Sequence, residues 1–282
     1  MDAGADVRPL VAHPAVVGAV AEAREACTGL RWLPAMRRRA EQVRAESCVR
    51  AAAASAELDG ARLGLDRVRA LLAVPPERGA TERAASGHDR GPAGRAGVDP
   101  VTALVLGALR VTLDAHPSAP LLSRAPRQVM ARFHALAAAD LVADPSRLGR
   151  PSGSAAERLE LLSRLVSGRS PVPTLVTAAL VDAEVTAGDA FAPVSGVVAR
   201  ALARAVVVDG GLDPAGVVVP ERHALADRAG RDAALAGYRS GDPDAVAAWV
   251  RWWGDAVVAG AVEAGRVAEE VMAGRLVGTG PG

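Results

Sequence analysis

Apolar residues recur at helical spacing along nearly the whole chain, and the pattern predicts a succession of helices. Pro14 to about Thr28 reads as an Ala/Val/Glu helix, with Gly29 just beyond its end. Pro34 opens a longer run, PAMRRRAEQVRAESCVRAAAASAELDG. Proline suits a first helical turn, where its missing N–H would be unpaired anyway, and Gly60 suits a terminus. Leu63 to Leu72 is short and amphipathic. Asp99-Pro100 restarts the helical pattern as far as His116. After the short stretch Ser118 to Leu122, a second helix is expected within Arg124 to Val142. Residues 143–155 read as a loop, with Ser154 as an N-cap of the helical segment over 156–168. Pro171 or Pro173 opens the apolar segment Thr174 to Gly188, and Val197 to Val208 is another apolar helix. Helices over about 222–238 and 243–273 close the chain. There is no internal repeat and no convincing strand run, so the expected class is all-α.

Residues 74–98 interrupt this pattern. They are rich in Gly, Pro, Ala and Arg without apolar periodicity, and read as a flexible linker. The expected organisation is N-terminal helices over 1–73, the linker, a core over 99–275 and a disordered tail over 276–282. Composition supports a sizeable core, since 50% of the 282 residues are hydrophobic. Aromatics make up only 2%, so that core must be built from Ala, Val and Leu. Trp249, Trp252 and Trp253 share one side of the last helix. Core packing is expected there, with a protein-interaction face as the alternative. All 33 basic residues are Arg, and the chain holds no Lys, Asn or Ile. The codon bias of a GC-rich genome accounts for that, and it removes any motif that needs Asn.

Charge excludes other classes. A formal net charge of +1 leaves no footprint for general nucleic-acid binding. No apolar run approaches a membrane span. The first twenty residues carry acids and a proline where a secretory signal would be basic and then apolar, so a cytoplasmic location is expected. Cys27 and Cys48 lie far apart without nearby ligand partners, so both read as small buried hydrophobes and no metal site is expected.

Two segments carry chemistry of interest. The first is Val49 to Leu71, VRAAAASAELDGARLGLDRVRAL, with Ser55, Asp59 and Gly60 followed by Leu65-Asp66. The second is Thr174 to Leu212, with Phe191, Gly196 and Arg200. Together they resemble the Fic/Doc (Fido) family. Many of its members carry a regulatory helix ending in Ser-x-x-x-Glu-Gly, followed by a helix beginning Leu-Asp. Its motif loop reads His-Pro-Phe-x-(Asp/Glu)-Gly-Asn-Gly-Arg-x-x-Arg, between a buried helix and an apolar helix ending near Gly-Gly-Leu. The resemblance covers roughly residues 15–275. It implies a Fic-like helical core, with room for a small reduced β-hairpin flap near SRLGRPSGS, whose edge could pair with a peptide.

The resemblance also implies what has been lost. The family moves AMP from ATP to a target hydroxyl, and its motif His takes the hydroxyl proton. Asp189 stands at that place, and a carboxylate is a weaker base unless burial raises its pKa. The acid that holds Mg²⁺ is replaced by Pro193, which offers no side-chain ligand for a hard cation. Val194-Ser195-Gly196 keeps one glycine of the anion-binding turn, and Val194 would resist a positive φ. The first motif Arg is Val197; the second remains as Arg200. Losing a general base alone costs about 10²–10⁴ in rate. Ordinary AMP transfer is therefore not expected.

One pair is expected to survive. The family's regulatory Glu bridges to the second motif Arg and blocks the nucleotide's terminal phosphate. Here Ser55, Asp59 and Gly60 would form the inhibitory element, with Asp59 against Arg200. The expected function is a catalytically impaired Fic-like module that binds or regulates a protein target. The rival is a nucleotidyl- or phosphotransferase using ATP with Mg²⁺, with Asp189 as base, the Ser195 and Gly196 N–H groups as anion site and Arg200 as clamp. The remaining histidines carry less. His13-Pro14 and His116-Pro117 read as helix boundaries. His134 and His223 read as structural or solvated, and His88 as linker. No Gly-x-Ser-x-Gly elbow is present.

Overall fold

A computed structural model describes residues 7–73, 98–152, 155–167 and 172–276. Among them every regular element is helical, and there is no strand. In chain order the helices are α1 (Arg8–Ala12), α2 (Pro14–Leu30), α3 (Pro34–Arg38), α4 (Ala40–Leu58) and α5 (Leu65–Ala73). After the segment outside the described residues come α6 (Pro100–Leu122), α7 (Pro126–Ala138), α8 (Ala156–Ser167), α9 (Thr174–Ala187) and α10 (Ser195–Asp209). The chain closes with α11 (Pro220–Ala226), α12 (Arg228–Ser240) and α13 (Pro243–Met272). The all-α class is as the periodicity predicts. The expected linker (apart from Val98), most of the expected tail and the Ser154 cap lie outside the described residues.

Several boundaries differ from the sequence pattern. Gly29 does not end α2, which runs on to Leu30. The run opened by Pro34 is two helices, broken at Arg39 (φ −142°, ψ 31°), whose guanidinium donates to the Val271 carbonyl 3.0 Å away. Asp227 (φ −113°, ψ 53°) likewise divides α11 from α12, where one helix over 222–238 is expected. His116-Pro117 is not a boundary. Helix α6 continues through Pro117 and Pro120 to Leu122, although each proline lacks the N–H that would bond four residues back. Packing of Ala115, Ala119 and Leu122 into the core holds that last stretch helical.

Helix α9 is buried on every side from Leu175 to Val185, as befits a central helix, and its Asp182 and Glu184 are hydrogen-bonded there. It packs against α10, which also meets α6, α7 and α4, so the loop between α9 and α10 is anchored from both ends. Trp249 is fully buried and its indole N–H donates to the Ala179 carbonyl (2.8 Å). Trp253 donates to Asp182 (3.2 Å), and Trp252 stacks on Trp249 with centroids 5.4 Å apart. Trp249 and Trp253 thus clamp α13 onto α9, the core role rather than an outward face, while Trp252 donates to Asp227 (2.9 Å). Both cysteines are buried; burial pushes the Cys27 thiol up to about 12. Among the described residues no helix is long and apolar enough to cross a membrane.

A buried ionic cluster ties the N-terminal helices to the last one. Arg50 on α4 bonds Glu46 (2.9 Å), Glu263 (2.8 Å) and Glu270, while Arg69 on α5 shares Glu46 at 2.6 Å. Burial works against the Glu46 charge, but the Arg69 and Arg50 hydrogen bonds outweigh it and hold its pKa below 4.5.

Candidate functional site

Helix α4 ends in a way that aims Asp59. Gly60 takes φ +94°, a left-handed conformation open to glycine at little cost. Its N–H bonds the Glu57 carbonyl (3.1 Å), and the Ala61 N–H reaches back to the Ala56 carbonyl (2.9 Å). This pair of bonds is a Schellman ending, with Asp59 as the last residue before the reversal. Arg228, at the start of α12, donates to the carbonyls of Glu57 (2.7 Å) and Leu58 (3.0 Å). The helix end is therefore held from two sides, and its final side chain reaches α10.

There Asp59 meets Arg200. The guanidinium Nη2 bonds Asp59 Oδ1 at 2.9 Å and the Ser55 carbonyl at 2.9 Å, and Nε donates to Ser55 Oγ at 2.8 Å. Ser55 and Arg200 are both buried. The run of alanines at 51–54 and Ala56 keeps α4 slim enough for its backbone to come this close. The Asp59 carboxylate also covers Gly196: a Cβ at that position would lie 2.7 and 2.8 Å from its two oxygens. Gly196 is in the first turn of α10, where N–H groups lack helical acceptors and favour a negative charge. A carboxylate thus stands over the first turn of this helix.

The motif loop keeps its shape by other means than a glycine turn. Val194 is buried at φ −120°, so the strain expected of a β-branched residue does not arise. The positive φ falls instead on Asp189 (44°), a residue type that tolerates it. Ser195 Oγ donates to Asp189 Oδ1 (2.7 Å) and accepts the Phe191 N–H (2.9 Å), which ties the two ends of the loop together. Asp189 is exposed, and Ala192-Pro193 is a cis peptide. The region expected to hold a flap is a 3₁₀ turn at Pro145–Arg147, a further turn at 148–149 and irregular chain to Ser152. Its Ser152 N–H bonds the Ala190 carbonyl (2.9 Å), so it leans on the motif loop without forming a hairpin strand among the described residues.

Mg²⁺ does not fit this residue set. Pro193 offers no side-chain oxygen where the resemblance puts a metal-binding acid, Asp189 accepts from Ser195, and Asp59 pairs with Arg200. Among the described residues no group of three or more His, Cys, Asp or Glu could hold a metal ion.

Sequence reasoning singled out Ser55, Asp59, Gly60, Asp189, Ser195, Gly196 and Arg200. Ser55, Asp59, Gly196 and Arg200 meet in one cluster, with Gly60 ending the helix beside it; Asp189 and Ser195 form a separate pair along the loop. Missing from that reading were Arg228, which holds the end of α4, and Arg231, which lines a cavity with Arg200. Neither belongs to a motif; their three-residue spacing on α12 was the only local signal. His134 is buried behind the loop, its ring 5.2 Å from that of Phe191. Burial lowers its pKa, against the opposing effect of the Ala192 backbone.

Similar solved structures bear on this geometry. A Fic family protein from Desulfovibrio desulfuricans G20 superposes with a TM-score of 0.65 at 18% identity, covering 95% of this chain and 77% of that one. A fragment of Fic-1 from C. elegans gives 0.63 at 16% identity, covering 92% and 73%. No family model matches the sequence, and no curated protein matches it either. The chain has the Fic fold.

Proposed function

We propose that this chain is a Fic-fold binding or regulatory module whose nucleotide site is filled by its own Asp59. The carboxylate of Asp59 over Gly196, paired with Arg200, is the observation that carries the reading. Any incoming phosphate must displace it and then satisfy a buried guanidinium in its place. The chemistry of the loop supports the same reading. The general-base position holds an exposed carboxylate that accepts a hydrogen bond from Ser195, and the metal-acid position holds Pro193. A transferase with Asp189 as base and Arg200 as clamp would need both residues released from their present partners.

The test is transfer of labelled AMP from ATP with Mg²⁺, to the chain itself and to added protein acceptors. Wild type and Asp59→Gly are compared. Neither is expected to label anything. Incorporation by Asp59→Gly alone would return the chain to the transferases, under the control of Asp59. Incorporation by wild type would overturn the reading outright.

A further inference from the structure

Beneath Arg200 lies a small cavity of about 20 Å³, shared by Arg200, Arg204, Arg231, Asp182, Glu221 and Trp252 among its walls. That is room for about one water molecule or one oxygen of a larger anion. Three guanidinium groups border it, and their partners are unequal. Arg200 has Asp59, and Arg204 has both oxygens of Glu221 at 3.1 and 3.2 Å. Arg231 has no comparable partner. Asp182 lies 3.9 Å from its Nη2 and exposed Asp232 3.7 Å from its Nη1, both beyond hydrogen-bonding distance. Asp182 meanwhile accepts from Trp253 and Thr186. Arg231 is only 7% exposed, and its Nε and Nη2 are buried without a hydrogen-bond partner. A guanidinium cannot shed its charge in a protein. Burial pulls its pKa down, Asp182 opposes that, and Arg200 adds to the fall.

We propose that Arg231 is an anion-binding residue that acts with Arg200, and that the two take a phosphoryl group when Asp59 swings away. The proposal rests on the reading of Asp59 as an occupant of the site. With Asp59 in place, the three arginines face Asp59, Asp182, Glu221 and the exposed Asp232. With Asp59 withdrawn, the cluster gains one net positive charge, and two guanidinium groups with open N–H donors border the same space. A phosphate oxygen satisfies both, as a bidentate acceptor for planar donors. Arg231 would then supply, from a different helix, the second positive charge that Val197 cannot.

The test measures binding of inorganic pyrophosphate and of ATP, each without divalent metal, to the full chain by calorimetry. Asp59→Gly is expected to bind where wild type does not. Adding Arg231→Met should weaken binding roughly tenfold to a hundredfold, and Arg231→Lys should restore part of it. Comparable affinity for the two probes identifies the phosphoryl group as the whole determinant; tighter ATP binding assigns the site to a nucleotide. Unchanged affinity in Asp59→Gly/Arg231→Met overturns the role of Arg231 and leaves the reading of Asp59 intact. No binding of either probe to Asp59→Gly overturns the site itself, whatever the AMP-transfer assay shows. A second measurement covers a structural role. Arg231→Met in the wild-type background is expected to melt close to wild type, because removing a poorly paired buried charge offsets leaving Asp182 with only its Trp253 and Thr186 hydrogen bonds. A clear fall in melting temperature, with no recovery of affinity in Arg231→Lys, would make Arg231 a structural residue.

Discussion

At the scale of single residues, Gly196 has an unusual position. A glycine in a helix normally costs about 0.5–1 kcal/mol against alanine. Here the added methyl would meet the Asp59 carboxylate at 2.7 Å. Gly196→Ala is therefore expected to destabilise wild type more than an Asp59→Ala background, where the carboxylate is gone and only Arg200 Nη1, 3.0 Å from the added methyl, must yield. Asp59→Ala alone should cost about 1–3 kcal/mol by leaving part of the buried Arg200 without its acceptor. A double-mutant cycle by urea unfolding reads both changes. Additive effects would show that the carboxylate does not sit over Gly196 in solution.

At the scale of elements, the placement of Asp59 depends on how α4 ends. The Schellman bonds and the two hydrogen bonds from Arg228 hold its last turn. Arg228→Ala is expected to speed amide hydrogen exchange at 59–61 while leaving the centre of α4 unchanged. It should cost about 1 kcal/mol, since these bonds are solvent-exposed. Exchange unchanged at 59–61 would assign the helix end to the Schellman bonds alone. Position Gly60 was legible in the sequence because a glycine after a polar helix end carries a local signal. Arg228 was not, because the carbonyls it reaches are 170 and 171 residues away in the chain.

For the whole molecule, stability should depend on pH in a fixed order. His134 has a folded pKa below the ordinary 6.5, so the unfolded chain binds its proton first. Stability from neutral His134 is complete above pH 6.5 and is lost as the pH falls below it. Glu46 has a folded pKa below 4.5, set by burial that is outweighed by Arg69 and Arg50. Asp114 lies below 3.8, where burial is outweighed by Arg132 and Ser118. Their contributions are lost only at lower pH. Urea midpoints followed from pH 7.5 downward should begin to fall below 6.5, and His134→Leu should remove that first part of the fall while leaving the acid limb. A wild-type curve flat down to the carboxylate range would rule out His134 as its source.

The sequence by itself determined the all-α class, because helical periodicity persists through nearly every segment and no alternating run competes with it. The Asp59–Arg200 partnership was expected only through the resemblance of two separated segments to the Fic/Doc family, since nothing local to either segment pairs Asp59 with Arg200 rather than with Arg204 on the same helix. Tertiary structure decided the rest. Arg39 and Asp227 break helices because distant groups and local backbone geometry override periodicity, while α6 continues through two prolines because its far end is packed into the core. Ser195 and Asp189 tie the loop where a glycine turn was expected, which removed the strain anticipated at Val194. Arg231 became a candidate binding residue only when folding placed it against Arg200 without a close counter-ion. Charge balance of that kind is a property of a buried cluster in space, and nothing in the order of residues along α12 records it.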